Sequence, residues 1–128
     1  MTMRWMLLVT VLAMTGCASP MLVFPGKSLK GEETTTNDFA FAADYTLMQL
    51  EANPGKPYSV WLRVVSIEGE LYLDAAPGRK WHKHIQADPD IRIALGEKIY
   101  PARAVRVEDP ALAKRFLPGR TIYRIEPR

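Results

Sequence analysis

Three groups of residues in this chain are of types and spacings that could do chemistry. The first is the single thiol, Cys17. A lone cysteine forms no internal disulfide, so its sulfur is free for covalent modification. The second is the loop Ala76-Pro77-Gly78 followed by Arg79 and Lys80. A glycine there lets backbone approach a ligand closely. The two cations, with the unpaired N–H groups at the start of a helix, suit an anion such as a phosphate. The third is the pair His82 and His84. On a helix, alternate residues point about 200° apart, so the two imidazoles cannot chelate one metal ion together. No other cysteine or histidine stands ready to complete such a site. Gly26-Lys27-Ser28 has the ending of a phosphate-binding loop, but position 21 is Met where that loop needs its first glycine.

The chain that must position these groups has 128 residues, enough for one domain with an extension. Its formal charge of +3 is too small to argue for nucleic acid, and no nucleic-acid partner is read. An anionic small ligand or lipid headgroups fit this balance equally well.

The N-terminus reads as an export signal. Arg4 gives a positive start, and Trp5 to Met14 is an apolar run. The run is too short to span a bilayer as a helix, which takes about 20 residues. It ends in Met14-Thr15-Gly16-Cys17-Ala18-Ser19, which resembles the bacterial lipobox, with Met14 in place of the usual Leu. The resemblance implies cleavage before Cys17 and lipid on its sulfur. Stable anchoring needs more than one acyl chain, which that pathway supplies. An ordinary signal peptide cut near Gly16-Cys17-Ala18, or an uncleaved anchor, are the alternatives. With no Asp after Cys17, the resemblance favours the outer membrane if the source is Gram-negative. The expected division is residues 1–16 as signal peptide, 17–38 as lipidated cysteine and flexible tether, and 39–128 as the folded domain.

Beyond Phe39 the apolar period is mainly two. Strands are predicted at Tyr45–Glu51, Tyr58–Ile67, Glu70–Ala75, Ile91–Leu95, Lys98–Val107 and Thr121–Glu126. Glu68-Gly69 and Gly96-Glu97 read as hairpin turns. Tyr58–Ile67 is apolar on both faces and reads as a central strand. Pro101 marks an edge or a bulge. Helices are predicted at Arg79–Asp88, stopped before Pro89, and from the Asp109 N-cap with Pro110 to about Leu117. Leu112 and Phe116, four apart, would share the inner face of the second. The fold class is mainly β with two short helices, a small β-barrel.

The run Tyr72-Leu73-Asp74-Ala75-Ala76-Pro77-Gly78-Arg79-Lys80-Trp81, through Ala87-Asp88-Pro89 to Ile91-Arg92-Ile93 and Tyr100-Pro101-Ala102-Arg103, resembles the FMN/deazaflavin-binding split-barrel superfamily. That superfamily includes pyridoxamine-phosphate oxidases and deazaflavin-dependent nitroreductases. The resemblance implies a split β-barrel, FMN or a deazaflavin as cofactor, and a homodimer with the site between two barrels. It implies phosphate contacts at Gly78, Arg79 and Lys80, with Asp74, Ala75 and Trp81 near the ring or ribityl chain. His84 departs from the Asn that nitroreductase-like members carry. Export in the unfolded state would require the cofactor to be acquired outside the cytoplasm. The two functional expectations are therefore an envelope-anchored barrel binding a flavin-type or other anionic ligand, and a non-catalytic envelope lipoprotein that has lost the cofactor.

Overall fold

The computed structural model describes residues 28–128; Cys17, the residues read as a signal peptide and the first part of the stretch read as a tether lie outside the described residues. The elements in order are β1 (Glu32–Glu33), a 3-10 turn (Ala40–Asp44), β2 (Leu47–Ala52), β3 (Tyr58–Arg63), β4 (Val65–Ile67), β5 (Glu70–Ala75), α1 (Lys80–Ala87), β6 (Asp90–Leu95), β7 (Lys98–Arg106), α2 (Pro110–Ala113) and β8 (Thr121–Pro127).

The strands form one sheet in the order β3-β2-β6-β7-β8-β5-β4, with β1 beside β7. The two ends of that path, β3 and β4, are consecutive in the chain and separated by Val64 alone. The sheet therefore curls round on itself through one nearly continuous strand. This architecture, mainly β with two short helices, is the split barrel.

Alternation decides what lies inside. Met48 and Leu50 of β2, Leu71 and Leu73 of β5, Ile91, Ile93 and Leu95 of β6, and Ala102 and Ala104 of β7 all belong to one buried core. Each fully buried Leu or Ile there contributes roughly 1.5–3 kcal/mol. Trp81 and Ile85 of α1 enter the same core, so the helix seals the barrel beside the β2–β3 turn. Phe39 and Phe41 pack on Tyr100 around the 3-10 turn, which rests on β4 and β5.

Four expectations need correction. Tyr58–Ile67 is not a central strand: its halves pair with β2 and β5 respectively and form the two ends of the sheet. Its inner face (Val60, Leu62, Val64) packs on the core, and its outer face is apolar for another reason, since Trp61 is 49% exposed. Pro101 lies in the interior strand β7, at neither an edge strand nor a bulge. Its side of β7 is shared by β1, opposite Lys98 and Ile99, and by β8, opposite Ala102 onward. Pro101 falls at the changeover between those partners, where its carbonyl still accepts the Arg128 N–H at 3.2 Å. The second helix stops at Ala113. Asp109 caps it as expected, accepting from the N–H of Ala111 and Leu112, but no residue of α2 is buried, so packing does not extend it to Leu117. Finally, the described part of the stretch read as tether lies on the barrel. Leu29 is buried against Ala94 and Ile99, and Glu32–Glu33 pairs with β7 in parallel. Its Pro, Gly and acidic composition masked a single anchoring leucine.

Candidate functional site

β5 delivers the chain from the barrel into the loop that starts α1. Asp74 points outward from β5 and faces Arg120, with a carboxylate–guanidinium distance of 3.8 Å. Ala75 points the other way: its side chain is 1% exposed and part of the core. Gly78 has φ +80°, and a Cβ there would meet nothing within 4 Å, so the turn needs glycine while the space above the backbone stays open. Arg79 is the N-cap of α1 in extended conformation, and no side chain caps the helix. The first-turn N–H groups of an uncapped helix attract an anion. Lys80 is exposed, its Nζ 5.0 Å from the centre of the Tyr58 ring. Trp81 is buried at 7% exposure, yet one side of it forms the floor of a groove.

That groove is open, about 1090 Å³ in volume, and runs along β3 and β4, past the β5–α1 loop, to the loop between α2 and β8. It gathers Asp74, Gly78, Arg79, Lys80 and Trp81, and leaves out Ala75. Its apolar wall includes Val60, Leu62, Val65 and Ile67, with Trp61 and Leu117 standing well exposed at 49% and 64%. Its basic side chains are Arg63, Arg79, Lys80, Arg115 and Arg120, against the single carboxylate of Asp74. Sequence reasoning missed Arg63, Arg115 and Arg120. Arg63 was legible only as a strand residue. Arg120 is far from Asp74 in sequence and comes beside it because β8 pairs with β5, Asp74 facing Ile122.

The two histidines diverge. The His82 ring points into the barrel, where Nε2 lies 2.8 Å from the Tyr123 hydroxyl and the rings meet edge to face. Burial, and then the charge of Arg106, push the His82 pKa below its ordinary value. Burial raises that of Tyr123, partly offset by Arg106. His84 instead meets the Tyr58 ring at a tilt of 47°, ring centres 5.4 Å apart. Among the described residues there is no cluster of three or more His, Cys, Asp or Glu that could hold a metal ion. No described helix is long and apolar enough to cross a membrane.

The arrangement can therefore grip an acidic group at the start of α1 and lay a flat apolar body along β3 and β4. Asp74, the one carboxylate lining the groove, lies within ion-pair distance of Arg120.

No protein-family model matches this chain, and no curated protein matches it in sequence. Solved structures do. A pyridoxamine 5'-phosphate oxidase candidate from Listeria innocua superposes with a TM-score of 0.60 at 14% identity, over 70% of this chain and 89% of that one. The heme storage protein of Vibrio cholerae gives 0.52 at 14% identity, over 69% and 85%. An F420-H2-dependent reductase gives 0.52 at 16% identity, over 63% and 94%. At such identities the likeness is one of fold, and the fold of this chain is the split β-barrel that these proteins share.

Proposed function

We propose that this barrel binds a planar, anion-bearing ligand of the flavin or deazaflavin type in the groove between β3–β4 and the start of α1. The observation that carries the reading is the coincidence, in one groove, of basic side chains around an uncapped helix start and a long apolar wall. Arg79, Lys80 and the first-turn N–H groups of α1 would hold a phosphate, and Trp81, Val65 and Ile67 would lie near the ring. Redox chemistry would be supplied by the bound group; the chain would orient it and exclude water from one side.

The groove is wider and more open than an ordinary small-molecule pocket of roughly 300–1,000 Å³. A second copy covering Trp61 and Leu117 would close it, so the active form is a homodimer in this reading. The Vibrio cholerae relative in fold stores heme. Heme also joins a flat ring to acidic groups, and the same groove chemistry would receive it. The chain itself would be held at the cell envelope by lipid on Cys17, at the outer membrane in a Gram-negative source. A second reading keeps this architecture without catalysis, as an envelope binding module; the engagement of Asp74 by Arg120 favours it.

The test is to purify the mature protein from a bacterial host and titrate FMN, a deazaflavin and heme while following thermal unfolding. A ligand at about 100 times its Kd should add about 2.7 kcal/mol of stability. Arg79→Ala with Lys80→Ala should weaken binding about tenfold or more. If none of the three ligands stabilises the fold, the ligand class is wrong. Bound ligand without turnover of a reduced nicotinamide or deazaflavin donor would leave the binding module. Labelling with palmitate that leaves Cys17 unmodified would remove the anchor.

A further inference from the structure

We infer that residues Ser28–Thr34 form a strap, locked by Glu51 and Arg92, that fixes where the chain leaves the barrel and divides the barrel wall into an anchoring half and a ligand half. The lock stands on several independent contacts. Glu51, on the outer face of β2, is 5% exposed although it is a carboxylate. Its Oε2 accepts the Leu29 backbone N–H at 2.7 Å and the Ser28 hydroxyl at 3.2 Å. Arg92 of β6 grips it with two bonds of 2.8 Å, from Nε and Nη2. Arg92 also pairs with Glu33 of the strap itself. Such forked pairs fix geometry as well as charge.

Backbone and packing add to the lock. The Glu32 N–H donates to the Glu97 carbonyl at 3.1 Å, and the Thr34 N–H to the Ile99 carbonyl at 2.9 Å. At Gly31, φ is +156° and a Cβ would stand 2.8 Å from the Glu97 carbonyl oxygen, so only glycine lets the strap lie this close. Leu29 buries its side chain against Ala94 and Ile99. A loosely held tether would need none of this.

The consequence comes from sheet order. The strap starts beside β7, crosses β6 at Arg92 and ends at Ser28 over β2. The groove takes the other way round, along β3–β4 and β5 to Arg120 ahead of β8. Strap and groove thus occupy complementary arcs and do not compete. On the path β2-β6-β7-β8, and on the return β8-β5-β4/β3-β2, β8 is three strands from β2 in either direction. The chain's exit over β2 is across the barrel from β8.

This inference rests on the reading of Cys17 as lipidated in one respect only, its meaning for the membrane. From Cys17 to the locked Ser28 the chain spans at most about 40 Å at ~3.6 Å per residue. That is about half of what a free tether reaching Phe39 would allow. The β2 side should face the bilayer, β8 should point away, and the groove should open sideways.

The experiment uses the full chain, expressed in a lipid-modifying bacterium, extracted and reconstituted into phosphatidylethanolamine–phosphatidylglycerol vesicles carrying a spin-labelled lipid. With Cys17 acylated, a cysteine introduced as Lys56→Cys, in the turn between β2 and β3, or as Arg124→Cys, on the outside of β8, is the only free thiol and takes a fluorophore. The Lys56 site should be quenched several-fold more than the β8 site. In parallel, trypsin should cut slowly after Lys30 in the wild type. Glu51→Gln and, separately, Gly31→Val should speed that cut roughly tenfold or more, because cleavage follows the population of the opened segment. Glu51→Gln should also bring the two quenching values together. Rapid cutting after Lys30 in the wild type, or rates unmoved by both substitutions, overturns the strap. Equal quenching with the strap still protected overturns the division of the wall. A mature chain whose mass shows no acyl addition overturns the anchor while the trypsin result still judges the strap.

Discussion

Tyr123→Phe removes one oxygen from the barrel and isolates the bond that pins α1. The His82 Nε2 and the Tyr123 hydroxyl are 2.8 Å apart, and both residues are buried, at 7% and 5% exposure. Phenylalanine preserves the edge-to-face ring contact, with centres 5.5 Å apart, so packing is kept and only the hydrogen bond is lost. A buried imidazole nitrogen left without a partner costs about 1–3 kcal/mol. For a domain of about 100 residues each kcal/mol lowers Tm by roughly 4–8 °C. Because α1 also carries Arg79 and Lys80 to the groove, ligand binding should weaken together with stability. A pH dependence accompanies this. Burial and Arg106 hold the His82 pKa below its ordinary value, so the folded state keeps the ring neutral while the unfolded chain takes up a proton near pH 6.5. The stability this contributes is complete above about pH 6.5 and is lost as pH falls through the lower, folded value. Urea unfolding followed by tryptophan fluorescence at steps from pH 8 to pH 5 measures both effects, with His82→Gln as the control that should flatten the acid step. A Tyr123→Phe protein within about 0.5 kcal/mol of wild type at pH 8, the range of an indifferent surface change, would refute the account of the bond. Identical pH profiles for wild type and His82→Gln would refute the account of the charge.

Other consequences are more local. Trp81→Ala should cost about 3–5 kcal/mol, as loss of a buried aromatic does, and should abolish any ring-stacking signal of a bound ligand in the groove; calorimetry and ligand fluorescence read the two. Asp109→Ala removes the acceptor for the Ala111 and Leu112 N–H groups and should cost about 1 kcal/mol in urea unfolding. Burial alone would raise the Glu51 pKa, but the Arg92 hydrogen bonds, the Leu29 N–H, the Arg92 charge and the Ser28 hydroxyl hold it below the ordinary carboxylate value. Protection of the strap from protease should therefore be full above about pH 4.5 and lost only as pH falls through that lower value, an order that pepsin digestion at graded acid pH would show.

Much of the fold was legible because it depends on local rules. Period-two alternation located the strands, Glu68-Gly69 and Gly96-Glu97 located the hairpins, and Asp109-Pro110 located the start of α2. The end of α2 was not legible, since packing rather than capping sets it. Of the site, the Gly78-Arg79-Lys80-Trp81 run was visible as a unit because it is contiguous. Ala75, read together with Asp74, has its side chain in the core instead of the groove, because one step along a strand turns a side chain from outside to inside.

The sequence by itself determined most of the strands, the hairpin turns and the helix starts, and kept Gly78 to Trp81 together as one run, since hydrophobic period, turn chemistry and helix capping act over a few residues. Only the tertiary structure decided which strands are neighbours. That choice made Tyr58–Ile67 the two ends of the sheet and brought Arg120 to Asp74. It also joined Glu51 to Arg92 and to a segment that reads as linker. Pairing of distant strands is fixed by how the whole apolar surface is buried at once, and no short stretch of chain contains that information.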